Sequence, residues 1–232
     1  MEPITLGLVT RLYRDYATEL ATVREEQREL LAARQPGMRA QLDDLEAEIT
    51  YLLLRELRPD TVVEVGTFHG WSTTWILRAL RDNGVGRLLS FDQVDHVLRT
   101  VPDELAGQRW TFSKGDVRTK AAEIPAETDY LFLDAAHSGS FARWYLTTVF
   151  PTLRAGTRVS VHDVFHGRRP LPFSEGAVLL GWLADRNIDY FTPSAKRAPE
   201  HNAALRGLKA ELGLAEPVRT SRDNPMVFFD LA

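Results

Sequence analysis

The sequence predicts an α/β fold: a seven-stranded, mostly parallel sheet whose last strand is antiparallel, preceded by a helical appendage at residues 1–57. Three observations predict it. Apolar runs of strand length recur from residue 61 onward, with helical patterns between most of them. The first run ends in a glycine turn that opens a helix, in the stretch VEVGTFHGWST from Val63 to Thr73. Acidic residues then stand directly after successive strands, on the edge where open α/β sheets bind ligands.

The appendage comes first in the chain. Apolar side chains at Leu6, Val9, Tyr13, Tyr16, Leu20, Val23 and Leu30 alternate at three and four residues, broken only by Gln27, so one long helix with one apolar stripe is expected. Gln35-Pro36-Gly37 ends it, and a second amphipathic helix is expected from about Met38 to Leu57. A stripe this apolar docks on the core or on another subunit, and the assembly expected is a homodimer through these helices. Strands follow at 61–65 (TVVEV), 87–91 (RLLSF), 109–113 (RWTFS), 129–133 (DYLFL), 157–161 (TRVSV), 188–191 (IDYF) and 226–231 (MVFFDL). Right-handed crossovers put the carboxyl ends of the parallel strands on one edge. The loop-like stretches 166–176 and 194–202 are expected as its rims or lids.

Composition narrows the function classes. A chain of 232 residues with 44% hydrophobic residues is long enough for one globular domain with appendages. Its net charge of −4 lacks the dense Lys/Arg face that neutralising nucleic-acid phosphates requires. No apolar run approaches the ~20 residues of a membrane span, and the start MEPITLGLVTRLYRDY has no signal-peptide pattern, so a soluble, cytoplasmic protein is expected. Without cysteine, disulfide and thiolate chemistry are excluded.

The glycine turn carries the first chemical signal. A dinucleotide-binding turn needs G-x-G-x-x-G so that the backbone approaches a pyrophosphate. Here the turn is Gly66-Thr67-Phe68-His69-Gly70, without the middle glycine, and Glu64 stands two residues before it. A carboxylate beside pyrophosphate would repel it, so the turn suits a ligand with a positive amine, such as a methionine-like moiety. Ser72 either caps the helix or touches the ligand, and Trp71 is wall, core or an aromatic face toward a cation. Asp92, after the second strand, can accept bonds from both ribose hydroxyls, and Asp116, after the third, from an adenine amine. An NAD enzyme would also want Asp92. Amino acid, sugar and base in that order describe S-adenosylmethionine.

E-V-G-T-F-H-G-W-S resembles the first motif of class I S-adenosylmethionine-dependent methyltransferases, in the small-molecule branch that includes catechol-type O-methyltransferases. F-D-Q, ending at Gln93, and G-D-V, ending at Val117, sit at the matching later stations. The segment from Leu133 to Asp163 resembles a metal-assisted subgroup, containing macrocin-type sugar O-methyltransferases and cephalosporin hydroxylase proteins, whose fourth and fifth strands end in divalent-metal ligands. The resemblance runs from about Leu57 to Asp163. It implies a Rossmann-like catalytic domain over 58–232, with cofactor contacts from Glu64, Gly66, Thr67, Phe68, Gly70, Ser72, Asp92, Gln93, Asp116, Val117 and Asp134.

Asp134 follows YLFL and His162-Asp163 follows VSV, on two strands expected to be neighbours about 5 Å apart. Two carboxylates alone would repel, whereas Mg²⁺ or Mn²⁺ would bind both and keep positions for a substrate oxygen. The metal expected on Asp134, His162 and Asp163 would lower the pKa of a coordinated hydroxyl. Where catechol-type enzymes follow the second aspartate with Asn this chain has Val164, and where the hydroxylase relatives precede it with Glu it has His162; imidazole tilts preference toward Mn²⁺, Fe²⁺ or Zn²⁺. His137 lies three residues beyond Asp134, where the catechol-type pattern places a lysine base, so Asp134 and His137 are the expected catalytic residues. His69 and His166 have weaker claims, and Arg168 and Arg169 are better read as a solvated pair than as a clamp for an acidic substrate.

The resemblance thus implies in-line transfer of a sulfonium methyl to a hydroxyl of a small molecule, a sugar or another specialised metabolite. Methylation of nitrogen or a carboxyl is the near rival. A hydroxylase-like protein that binds the cofactor without methylating is the rival from another class, and an NAD oxidoreductase is third.

Overall fold

The computed structural model describes residues 2–34, 37–165, 168–219 and 226–232. Two helices open the chain where one was expected: α1 (Leu6–Asp15), capped by the Thr5 hydroxyl accepting from the Leu8 amide, and α2 (Ala17–Arg34), separated by a break at Tyr16. Gln35 and Pro36, the expected stop, lie outside the described residues. The next helix, α3 (Asp44–Leu57), starts six residues later than the apolar pattern suggested. The reason is a capping box. The Asp43 carboxylate accepts from the Glu46 amide at 2.9 Å and the Glu46 carboxylate accepts from the Asp43 amide at 3.0 Å, which fixes the start of the helix and leaves 38–42 as a loop.

The alternation then begins: β1 (Thr61–Val65), α4 (Trp71–Asn83), β2 (Arg87–Asp92), the short α5 (Val97–Thr100) and α6 (Asp103–Ala106), β3 (Trp110–Lys114), β4 (Tyr130–Leu133), α7 (Gly139–Trp144), β5 (Arg158–Val161), α8 (Glu175–Asp185), α9 (Pro199–Glu211) and β6 (Val227–Asp230). Among the described residues the sheet has six strands in the order β3-β2-β1-β4-β5-β6, parallel except for β6, which runs antiparallel to β5. The expected strand at 188–191 is reduced to one bridge, Phe191 exchanging two backbone bonds with Phe228. It goes no further because Pro193 has no amide hydrogen to give, and the Thr192 hydroxyl takes the Met226 carbonyl instead.

Helices cover both faces of the sheet, which is why β1, β4 and β5 are buried along their whole length. Leu8, Leu12, Leu53, Ile76 and Leu205 pack with Val62, Leu88 and Phe132 on one face, and Phe141 and Leu179 pack with Val63, Leu131 and Val159 on the other. The stripe of α1 and α2 is thus spent inside its own chain, and the argument for a subunit contact through it falls away. Gln27, the break in that stripe, is buried between the helices, donating to Thr74 and accepting from Arg78. Among the described residues no helix is long and apolar enough to cross a membrane.

Candidate active site

β1 and β4 are adjacent, yet their crossovers lead to opposite halves of the sheet, so the chain parts just beyond their carboxyl ends. A cavity of about 510 Å³ opens there, lined from the ends of β1 to β5. Of the expected cofactor residues, Gly66, Phe68, Asp92, Gln93, Asp116, Val117 and Asp134 line it, and His137, His162 and Asp163 line its other end.

Four expected residues stand back from it. Glu64 is fully buried and accepts from the hydroxyls of Ser72 at 2.6 Å, Thr73 at 2.9 Å and Ser90 at 2.7 Å. Strand alternation turns its side chain under the first turn of α4, and this burial pushes its carboxyl up to about 7 despite the three donors. Its side chain is not among those lining the cavity. Ser72 is spent on Glu64, Thr67 is buried with its amide donating to Asp92 at 2.7 Å, and Gly70 packs on Val97 and Val101. Trp71 is core, edge-on to Trp75, and not an aromatic face in the cavity.

The acids at the cofactor end are already engaged. One Asp92 oxygen accepts from the Thr67 and Phe68 amides, each at 2.7 Å, and so shapes the glycine turn; the other accepts from the Val94 amide at 3.1 Å. Asp116 caps a short 3₁₀ turn at Val117–Thr119 and pairs with Arg118, which holds its carboxyl below the usual range. Each still has lone pairs to spare, since a carboxylate has four acceptor sites.

At the other end four side chains converge. The ligand atoms of Asp134, His137, His162 and Asp163 all lie within 4.8 Å of one another. His162 Nδ1 is 3.1 Å from Asp134 and 3.5 Å from Asp163; His137 Nε2 is 3.5 Å from Asp134 and 3.3 Å from Asp163. His137 and Asp163 are held at φ +45° and +57°, a backbone cost of about 1–3 kcal/mol each that persists only where the surroundings impose it. Burial opposes charge on His162, but Asp134 and Glu46 carry its pKa well above the ordinary value. Burial likewise acts against Asp134, yet the facing imidazoles hold its carboxyl below the ordinary value. For His137 burial is again outweighed, here by Glu175, Asp134 and Asp163, and its pKa is raised.

The sequence did not expose four contributors. Gln41 and Ser138 line the cavity, while Glu46 and Glu175 stand behind the two histidines. For Glu46 a signal existed, the D-x-x-E of the capping box; a glutamate opening α8 is ordinary and gave none for Glu175. Of the weaker candidates, His69 stacks on His96 at 4.9 Å, Arg168 and Arg169 are exposed, and His166 with Gly167 lies outside the described residues. Residues 194–198 lead into α9 and do not line this cavity.

Residues 63–164 match a family model described as a methyltransferase domain. Among solved structures, the chain is similar to cofactor-bound Rv0187 from MTB at 16% identity and TM-score 0.58, covering 92% of this chain and 89% of that one. The O-methyltransferase from Bacillus cereus, solved with SAH, is 17% identical with TM-score 0.56, covering 94% and 91%. TomG from Streptomyces achromogenes, an O-methyltransferase involved in tomaymycin synthesis and solved with SAM, is 17% identical with TM-score 0.50, covering 100% and 90%. No curated protein matches the sequence. At such identities the structures speak for the fold, and the family match speaks for the domain; both agree with the resemblance drawn from the sequence.

Proposed function

Because residues 63–164 match a family model described as a methyltransferase domain, we propose that the chain is an S-adenosylmethionine-dependent methyltransferase acting on a hydroxyl of a small molecule, with a divalent metal assisting. The observation that supports it best is the continuity of one cavity, with Asp92 and Asp116 at one end and Asp134, His137, His162 and Asp163 at the other. Its volume of about 510 Å³ falls within the range of about 300–1,000 Å³ for small-molecule sites. S-adenosylmethionine, when bound, supplies an electrophilic methyl group beside a positive sulfur.

The residues fit that group in part. Asp92 and Asp116 offer acceptors to sugar and base, and Asp134, the carboxylate that reaches the cavity from β4, replaces Glu64 as the acceptor for an amine. At the acceptor end, Asp134, His162 and Asp163 suit a divalent metal, which when bound would favour the ionised form of an acceptor hydroxyl. The same groups orient the hydroxyl toward the cofactor end, and His137, in its neutral form, can take the proton.

The test is turnover of methyl-labelled S-adenosylmethionine against a panel of hydroxylated, aminated and carboxylated acceptors, with and without chelator. Label transferred to hydroxylated acceptors supports the reading. Cofactor binding without transfer to any acceptor would favour the non-methylating rival, and binding of NAD in its place would overturn the cofactor assignment.

A further inference from the structure

The structure assigns His137 and His162, together with Asp134 and Asp163, to a two-histidine, two-carboxylate site for a first-row transition metal such as Zn²⁺ or Mn²⁺, with Glu46 and Glu175 as the positioning residues that aim the two imidazoles. This rests on the metal-assisted reading above and narrows it: His137 becomes a ligand, and the preference for an imidazole-accepting metal that His162 alone suggested is strengthened by a second imidazole.

The donor geometry is the first support. The four nitrogen-to-oxygen separations in the cluster run from 3.1 to 3.5 Å. Metal–ligand bonds of about 2.0–2.2 Å make neighbouring ligands about 3.0 Å apart in an octahedron and about 3.4 Å apart in a tetrahedron. Two imidazole nitrogens in the set disfavour Mg²⁺, which keeps oxygen ligands and its own water.

The second support is independent of the cluster itself. Each imidazole has a buried glutamate at its far nitrogen: Glu46 Oε2 is 3.2 Å from His162 Nε2, and Glu175 Oε2 is 3.4 Å from His137 Nδ1. The glutamates are 1% and 2% exposed, and they come from α3 and α8, on opposite sides of the site. A carboxylate hydrogen-bonded behind an imidazole holds the outer N–H, fixes the tautomer and leaves the inner nitrogen's lone pair aimed at the cation; Glu46 makes that bond to His162, while Glu175 lies 3.4 Å from His137 Nδ1, within ion-pair reach but outside hydrogen-bond geometry. Here that inner atom is Nδ1 for His162 and Nε2 for His137, and both point at the same two aspartates.

The experiment uses the full chain, stripped with chelator and then titrated with Co²⁺, followed by competition with Zn²⁺, Mn²⁺ and Mg²⁺. Co²⁺ should bind one per chain and give visible d–d bands. Zn²⁺ should displace it readily and Mn²⁺ only in large excess, whereas millimolar Mg²⁺ should not. His137→Ala and His162→Ala should each change the Co²⁺ spectrum. Glu46→Gln keeps a side chain able to close the capping box, and Glu175→Gln keeps its volume, so both should stay folded by circular dichroism with affinity down roughly 10–100-fold. Absence of Co²⁺ binding, displacement by Mg²⁺ as readily as by Zn²⁺, or a spectrum indifferent to His137→Ala would overturn the assignment. Binding of S-adenosylhomocysteine, measured on the same samples by calorimetry, tests the cofactor reading separately: its failure leaves the metal result standing, and the reverse.

Discussion

At Gly66 the backbone has φ +90°, and a Cβ there would lie 1.7 Å from the carbonyl oxygen of Asp134. The glycine is demanded by the close passage of β1's turn beside the end of β4, which also brings Asp134 into the cavity. Gly66→Ala should therefore destabilise the chain by about 2–4 kcal/mol in chemical denaturation, the size of a combined backbone and clash defect. Asp92→Ala removes an acceptor from the cavity and the partner of two turn amides, so S-adenosylhomocysteine binding should weaken by about 1.5–3 kcal/mol. Unchanged affinity by calorimetry would remove Asp92 from the site. Glu64 makes a different prediction. Its folded pKa, about 7, lies above the ordinary 4.5, so the folded chain holds the proton more tightly. Its contribution to stability is present below about pH 4.5 and is lost as pH rises through about 7. Denaturation curves across that window should flatten in Glu64→Gln, with S-adenosylhomocysteine affinity kept because the side chain does not reach the cavity.

Among the elements, α1, α2, α3 and α9 meet at one buried ionic knot. Glu48 on α3 is fully buried, accepts from the Tyr13 hydroxyl at 2.7 Å, and pairs with Lys209 at 2.8 Å and with Arg24. Desolvation lowers Lys209 to about 7, a sign of how little water reaches the knot. Removing the shared carboxylate leaves Arg24 and Lys209 with only the longer carboxylate contacts to Asp44, at 3.7 and 3.9 Å, so Glu48→Ala should cost about 3–5 kcal/mol, read by thermal or urea unfolding. The strands were legible in the sequence because each is a short apolar run closed by a turn or an acid. The start of α3 was hidden by apolar residues at Met38 and Leu42, whose burial comes from loop packing and not from helical period. The station at 188–191 has a strand's composition, but Pro193 and the departing chain allow it only one pairing.

For the molecule as a whole, the N-terminal helices are part of the core and not an attachment to it. Deleting residues 1–35 should therefore abolish cooperative unfolding by circular dichroism; a well-folded truncated chain would restore the idea of a separable appendage. The same integration explains what of the site could be read in advance. Asp92, Asp116, Asp134, His137, His162 and Asp163 were legible because parallel strands must end on one edge, so position along the chain already gave position in space. Gln41 and Glu175 were not, since they reach the edge from a loop and a helix whose docking depends on packing across the fold, and the capping box of Glu46 announced a helix start but not its place at the site.

Glu46 joins these scales. The carboxylate oxygen that accepts the Asp43 amide at the head of α3 is the one that meets His162, 116 residues further along the chain. Occupancy at the sheet edge and fraying of the helix start are then reciprocal, each altering the other's equilibrium by the same factor. Loading the chain with Zn²⁺ should slow hydrogen–deuterium exchange at the amides that begin α3. A weakened cap, as in Asp43→Ala, should loosen cation retention without touching a ligand.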